Sequence, residues 1–173
     1  MQAINRYLLI IPVLFMFSWP AIAQDSPAVA ADTERSPIRS LSDREYLDLK
    51  YGREMGMADV AAVNRFPAPD QVKQLAVELK LSASQKAELE KILAAREFKT
   101  REMGGFILAQ ETRLNGLFES GKATDGSVIY YTNKIGLYLG ELRNAHLQAY
   151  LKTRKILTAE QIRRYYQIKA ATK

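Results

Sequence analysis

The chain has no cysteine, one histidine and one tryptophan in 173 residues. Disulfides, cysteine-based metal sites and thiol redox chemistry are therefore closed to it. A lipid-anchored lipoprotein, which needs a cysteine after its leader, is excluded too. Proline is equally uneven: all six lie in the first 69 residues, and residues 81–161 hold none, which permits long helices there. Phosphate-binding loops are missing, because Gly104-Gly105 lacks the strand–turn–helix setting they need. With His146 as the single histidine and the carboxylates scattered over helix surfaces, no catalytic constellation assembles. The reading is a non-enzyme with no cofactor and no metal site of its own. His146 shares a helical face with Leu142, Ala149 and Tyr150, and is expected to be half-buried and hydrogen-bonded across a helix pair. A metal site shared between subunits stays open as the alternative.

Residues 1–23 have the pattern of a cleavable signal peptide. Arg6 precedes the apolar residues 7–17, and the small-x-small site Ala21-Ile22-Ala23 follows Ser18-Trp19-Pro20. The apolar run is too short to span a bilayer, so no membrane-spanning segment is expected after cleavage. The expected mature chain starts near Gln24 and is exported to a bacterial periplasm. Only Arg6 among the charged residues falls in the leader, so the formal net charge of +6 becomes +5. An exported basic chain is not expected to meet nucleic acid; anionic lipid, envelope polymers or acidic segments of unfolded proteins are the fitting counterparts. Residues 24–41, rich in Ser, Pro, Ala, Asp and Arg, read as a disordered leader, and residues 42–173 as one domain.

Within that domain the same five-residue pattern occurs twice, as Leu81-Ser82-Ala83-Ser84-Gln85 and Leu157-Thr158-Ala159-Glu160-Gln161. Each is a capping box: the hydroxyl accepts from the third helical N–H, and the glutamine reaches back to the N-cap N–H. Ser42-Asp43-Arg44-Glu45 is a third match and predicts a short helix through Lys50. A helical turn or two over residues 57–63 and an Asp70-capped helix over 71–79 follow, separated by the break at Pro67 and Pro69. Two long helices are predicted over residues 83–118 and 126–155, with the turn at Gly121 and a cap at Thr124 or Asp125. Leu89, Ile92, Leu93, Met103, Phe106, Ile107, Leu114, Leu117 and Phe118 mark the apolar stripe of the first; Val128, Tyr131, Ile135, Tyr138, Leu139, Leu142, Ala145, His146 and Ala149 mark that of the second. Lys86–Glu90 and Glu97–Arg101 are expected i,i+4 pairs. The glycine pair predicts a bend or a close approach by a neighbouring helix. A last helix covers residues 159–171. Joined by a short turn, the long helices must be antiparallel, so both motifs fall at one end. The fold class is all-α: a long antiparallel helical hairpin with short flanking helices. So thin an object leaves an apolar face uncovered, which points to a dimer or a binding surface.

These motifs, behind a signal peptide and in an all-helical setting, resemble the Spy/CpxP family of periplasmic proteins, which includes heavy-metal sensor-like relatives of the CnrX and ZraP kind. Leu157, Thr158 and Gln161 fit the family's Leu-Thr-x-x-Gln pattern fully; Leu81, Ser82 and Gln85 fit with Ser for Thr. The likeness covers residues 57–170. It implies a cradle-shaped homodimer that holds unfolded or stress-damaged envelope proteins without ATP. The alternative it implies is a metal- or envelope-stress-responsive sensor subunit bound to a membrane signalling protein. The chain lacks the His-x-x-x-His pair and His-rich tail of the metal-handling branch, which favours the first. Phe106, Tyr131, Tyr138, Arg143 and Tyr150 are the candidate client-binding residues, because aromatic rings beside mobile cations suit weak, plural contacts.

Overall fold

The computed structural model describes residues 34–171. The expected signal peptide, residues 1–23, and the expected leader up to residue 33 lie outside them. Six helices follow in order: α1 (Asp43–Lys50), α2 (Asp59–Val63), α3 (Pro69–Gln74), α4 (Ala83–Glu119), α5 (Asp125–Ile156) and α6 (Ala159–Ala171). No strand occurs among the described residues, and the fold is all-α as the sequence predicts.

The 37 residues of α4 and 32 of α5 form the long hairpin. At a rise of 1.5 Å per residue they span about 55 and 48 Å. Gly121, at φ +66°, closes α4, with the Lys122 N–H donating to the Leu117 carbonyl at 2.8 Å. Thr124, rather than Asp125, caps α5, its Oγ1 accepting from the Ser127 N–H at 3.2 Å.

α1 begins at the Ser42–Glu45 capping box and docks on the middle of α4. The contact is a backbone approach: a Cβ on Gly104 would lie 1.9 Å from the Leu49 carbonyl oxygen. Gly52, at φ +62°, sits as tightly over Thr100, where a Cβ would be 2.3 Å from Oγ1. Close approach, not a bend, therefore explains the first glycine of the pair; a Cβ on Gly105 would meet nothing within 4 Å.

Two expectations change. Asp70 does not cap a helix over 71–79. Ala68 is the N-cap, Pro69 supplies the preset first turn, and the helix stops at Gln74. The chain then closes with Lys80 at φ +51° and the Leu81 N–H on the Ala76 carbonyl, which turns both Leu79 and Leu81 inward. The end of the expected leader is also ordered. Ile38 is 3% exposed, the Leu41 N–H bonds to its carbonyl, and Arg39 reaches Glu119 at 3.5 Å. Two apolar side chains, Ile38 and Leu41, give this piece something to bury, which its composition average hides.

The apolar core falls into three clusters. Val72, Leu79, Leu81, Leu89, Leu93, Leu157 and Tyr165 fill the motif end. Leu49, Met103, Ile107 and Leu142 join α1 to the hairpin. Ala58 and Ala61, from the connection between α1 and α3, pack on Tyr150 of α5. Glu97–Arg101 pairs as expected at 2.9 Å, whereas Glu90 takes Lys73 of α3 at 2.9 Å instead of Lys86. Exposed pairs of this kind add little.

Candidate binding face

The two repeated motifs meet. Each glutamine makes its predicted local cap: Gln85 Oε1 accepts from the Ser82 N–H at 3.0 Å, and Gln161 Oε1 from the Thr158 N–H at 2.9 Å. Each then donates to the other, Gln85 Nε2 to Gln161 Oε1 at 2.8 Å and Gln161 Nε2 to Gln85 Oε1 at 3.0 Å. The remaining amide protons go to main-chain carbonyls, of Ile156 at 2.7 Å and Leu79 at 3.3 Å. Both amides thus have two donors and two acceptor positions filled. Leu81 and Leu157, each 7% exposed, pack beneath them. The motif residues are a lock on the open end of the hairpin, and their chemistry is used up in holding it.

One side of the hairpin is covered by residues 34–80. Under this cover lies a polar cluster. Arg96 of α4 grips Asp70 with two bonds, at 2.6 and 3.0 Å, which holds the Asp70 carboxyl below its usual pKa. The Tyr150 hydroxyl donates to the Glu54 carboxylate at 3.1 Å, while burial pushes the Glu54 carboxyl up. His146 is 2% exposed, and neither ring nitrogen finds a hydrogen-bond partner among the described residues. Burial first, then the Arg96 charge, lower its pKa from 6.5 to about 4. The Arg53 main chain lies near enough to favour the charged ring, without a hydrogen bond of ordinary geometry. His146 is thus fully rather than half buried, and unpaired rather than bonded across the helices.

The other side is bare. A groove of about 230 Å³ runs between α4 and α5, floored by Ile92, Ala95, Ala145 and Ala149 and edged by Lys99, Glu141 and Lys152. Lys91 and Lys155 continue the basic edge toward the motif end. Toward the turn, Phe106 stacks on Tyr138 with ring centroids 5.1 Å apart. Every buried residue of α4 lies between Leu89 and Ile107, and every one of α5 between Leu142 and Thr153. Beyond those limits the hairpin carries Phe118, Ile129, Tyr130 and Leu137, each more than half exposed.

The candidate client-binding residues divide accordingly. Phe106 is 43% exposed, Tyr131 and Tyr138 are part-exposed, and Arg143 is exposed. Phe106 and Tyr138 are brought together; Tyr131 instead meets Tyr130 edge-on at 5.1 Å. Arg143 follows Leu142, which is fully buried against the α1 side, by one position, so helical geometry turns it away from the groove. Tyr150 is a correction. It is 4% exposed and lies in the covered cluster, since its hydroxyl has a carboxylate partner and its ring packs on Ala58 and Ala61. Phe118, expected on the apolar stripe of the first long helix, is exposed instead because nothing among the described residues packs on that side of the hairpin, while Lys99, Ile129 and Leu137 went unnoticed in the sequence. Their departure from the stripe's spacing was the available signal.

Among the described residues no helix is long and apolar enough to cross a membrane, and no three His, Cys, Asp or Glu side chains gather as a metal site. The chain matches no known protein family, no curated protein and no solved structure.

Proposed function

We propose that this chain is a Spy/CpxP-like periplasmic protein that holds unfolded or stress-damaged envelope proteins without ATP, working as a homodimer. One observation carries the reading: the outer part of the hairpin has large apolar side chains but no buried residue among those described. A stable helix pair with that composition calls for something to cover it, whether a second copy or a transient client. The groove supplies the complementary half, an alanine and isoleucine floor whose rim carries Lys91, Lys99, Lys152 and Lys155 beside Glu88 and Glu141, suited to mixed apolar and charged segments. Contacts of this type are weak singly and tolerant of sequence, which is what a holdase needs.

The test is light scattering of an unrelated aggregating protein, without ATP, with the chain from Gln24 at near-equimolar ratio. Suppression that survives a chelator supports the reading; no suppression removes it. A second reading, a stress-responsive subunit of a membrane signalling system, is favoured by the buried, unpartnered His146. Calorimetric titration against the periplasmic domain of such a signalling protein separates the two, because a regulator binds it with fixed stoichiometry.

A further inference from the structure

Residues 51–68 form a strap from α1 to α3 that lies across the middle of α4 and α5. Its backbone is left-handed at four places: Gly52 (+62°), Met55 (+49°), Gly56 (+73°) and Arg65 (+62°). Two of these are not glycine, so the strap is a strained piece held down by its anchors. Those anchors are one small apolar cluster, Ala58 and Ala61 on Tyr150, and a few polar contacts: Glu54 to Tyr150, the Arg65 carbonyl to Arg154 at 2.7 Å, and the Ala68 N–H to the Tyr165 hydroxyl at 3.2 Å, with Arg53 tied back to Asp48 of α1 at 3.1 Å. Beneath it sits His146, whose ring nitrogens are buried without hydrogen-bond partners, as is the Thr153 hydroxyl further along α5. A satisfied core has no reason to keep such groups, and the cost of an unpaired one is moderate until it acquires charge.

We propose that His146 is an acid-sensitive latch: its protonation lifts residues 51–68 off α4 and α5 and uncovers the apolar surface around Leu147 and Tyr150. The charged groups around the ring set the direction. From α4, Arg96 opposes a second positive charge; from α3, Asp70 favours it weakly, being already committed to Arg96. From the strap itself come the Arg53 main chain and the Glu54 carboxylate, the latter bound to Tyr150 of α5, and from α1 the Asp48 carboxylate, taken by Arg53. In the closed form the ring titrates at about 4; lifted into water it returns to its ordinary 6.5. For this ring, every step down in pH between those values favours the open strap. Asp70, held below its usual range, stays ionised through most of that window, so α3 keeps its grip on Arg96. Burial raises the Glu54 carboxyl, so its own protonation favours the closed strap and offsets part of the His146 effect. The opening is thus local, between two anchored helices. It does not depend on what the bare groove binds.

The test is amide hydrogen exchange on the untagged chain from Gln24 at pH 7 and pH 4.5, corrected for intrinsic rates. Peptides within residues 51–68 are expected to lose protection by up to ~60-fold. Peptides around the Gln85–Gln161 lock are expected to keep theirs. His146→Gln, polar but unable to charge, is expected to abolish the acid effect. Unchanged strap protection in the parent chain overturns the proposal, and so does a His146→Gln chain that loosens with the same pH profile. His146 is the one histidine in the sequence, so its ring proton resonance gives a reading free of any variant. A midpoint below 5 supports the latch, and one near 6.5 in the closed chain overturns it.

Discussion

At the motif end, α4 and α5 are flanked by α3 and α6, share a core of seven buried side chains, and are tied by two glutamines with every hydrogen bond made. At the turn end the same two helices run on with part-buried contacts only, covered on one side by residues 36–41 and bare on the other. The contrast is not one of helix quality, since both ends are capped and regular. It is one of partners. Tertiary packing stabilises the first end, whereas local propensity and a single neighbouring helix hold the second. Stability and binding capacity are thus separated along one hairpin: the end that locks has little left to offer, and the end that offers apolar surface has little to lock it.

Changes that reach the packed half should be costly. Gly104→Val drives a side chain into the Leu49 carbonyl and should destabilise by about 3 kcal/mol, read by urea unfolding. Acid acts on the same half. Because the folded state lowers the His146 pKa, there is no penalty above pH 6.5, and one grows as pH falls toward about 4. It should reach roughly 3 kcal/mol at most. The loss of midpoint stability between pH 7 and 4.5 should shrink in His146→Gln. If it does not, the acid sensitivity belongs to another group. Gln161→Ala strands the Gln85 amide, the Thr158 N–H and the Leu79 carbonyl, and should cost about 2 kcal/mol. With Gln85→Ala added, the double variant should fall short of additivity by about 1 kcal/mol, because the first change already spoils the lock.

Changes in the outer half should behave in the opposite way. Gly136 and Gly140 face open space, so alanine at each should stabilise by about 0.5–1 kcal/mol, seen as a rise in thermal midpoint. Phe118→Ser should alter stability by less than ~0.5 kcal/mol, since that ring is 61% exposed, yet it should weaken suppression of client aggregation. Should Phe118→Ser prove strongly destabilising, that ring has a covering partner in solution and the half is not bare.

Much of this was legible in the residues. Capping boxes at Ser42, Ser82 and Thr158 start helices where they stand, because the cap is a local bond that the sequence spells out. The turn at Gly121 and the stripe positions Leu89, Ile92, Leu93, Met103 and Ile107 were equally local, whereas the stripe's Phe106 and Phe118 are exposed. Asp70 misled because its carboxylate had a better partner 26 residues away in Arg96. Tyr150 misled because an aromatic flanked by cations reads alike whether it meets a client or the Glu54 carboxylate.

By itself, then, the sequence determined five of the six helices, the hairpin order and the meeting of the two motifs at one end, since these follow from caps, periodicity and chain length, while the cap and extent of α3 did not. Tertiary structure alone decided that the two glutamines bond to each other, that Gly104 admits the α1 backbone, and that His146 is buried without a partner. It also decided which half of the hairpin is covered. Each of these depends on which distant side chain arrives first and on how little room it leaves, and no local pattern carries that information.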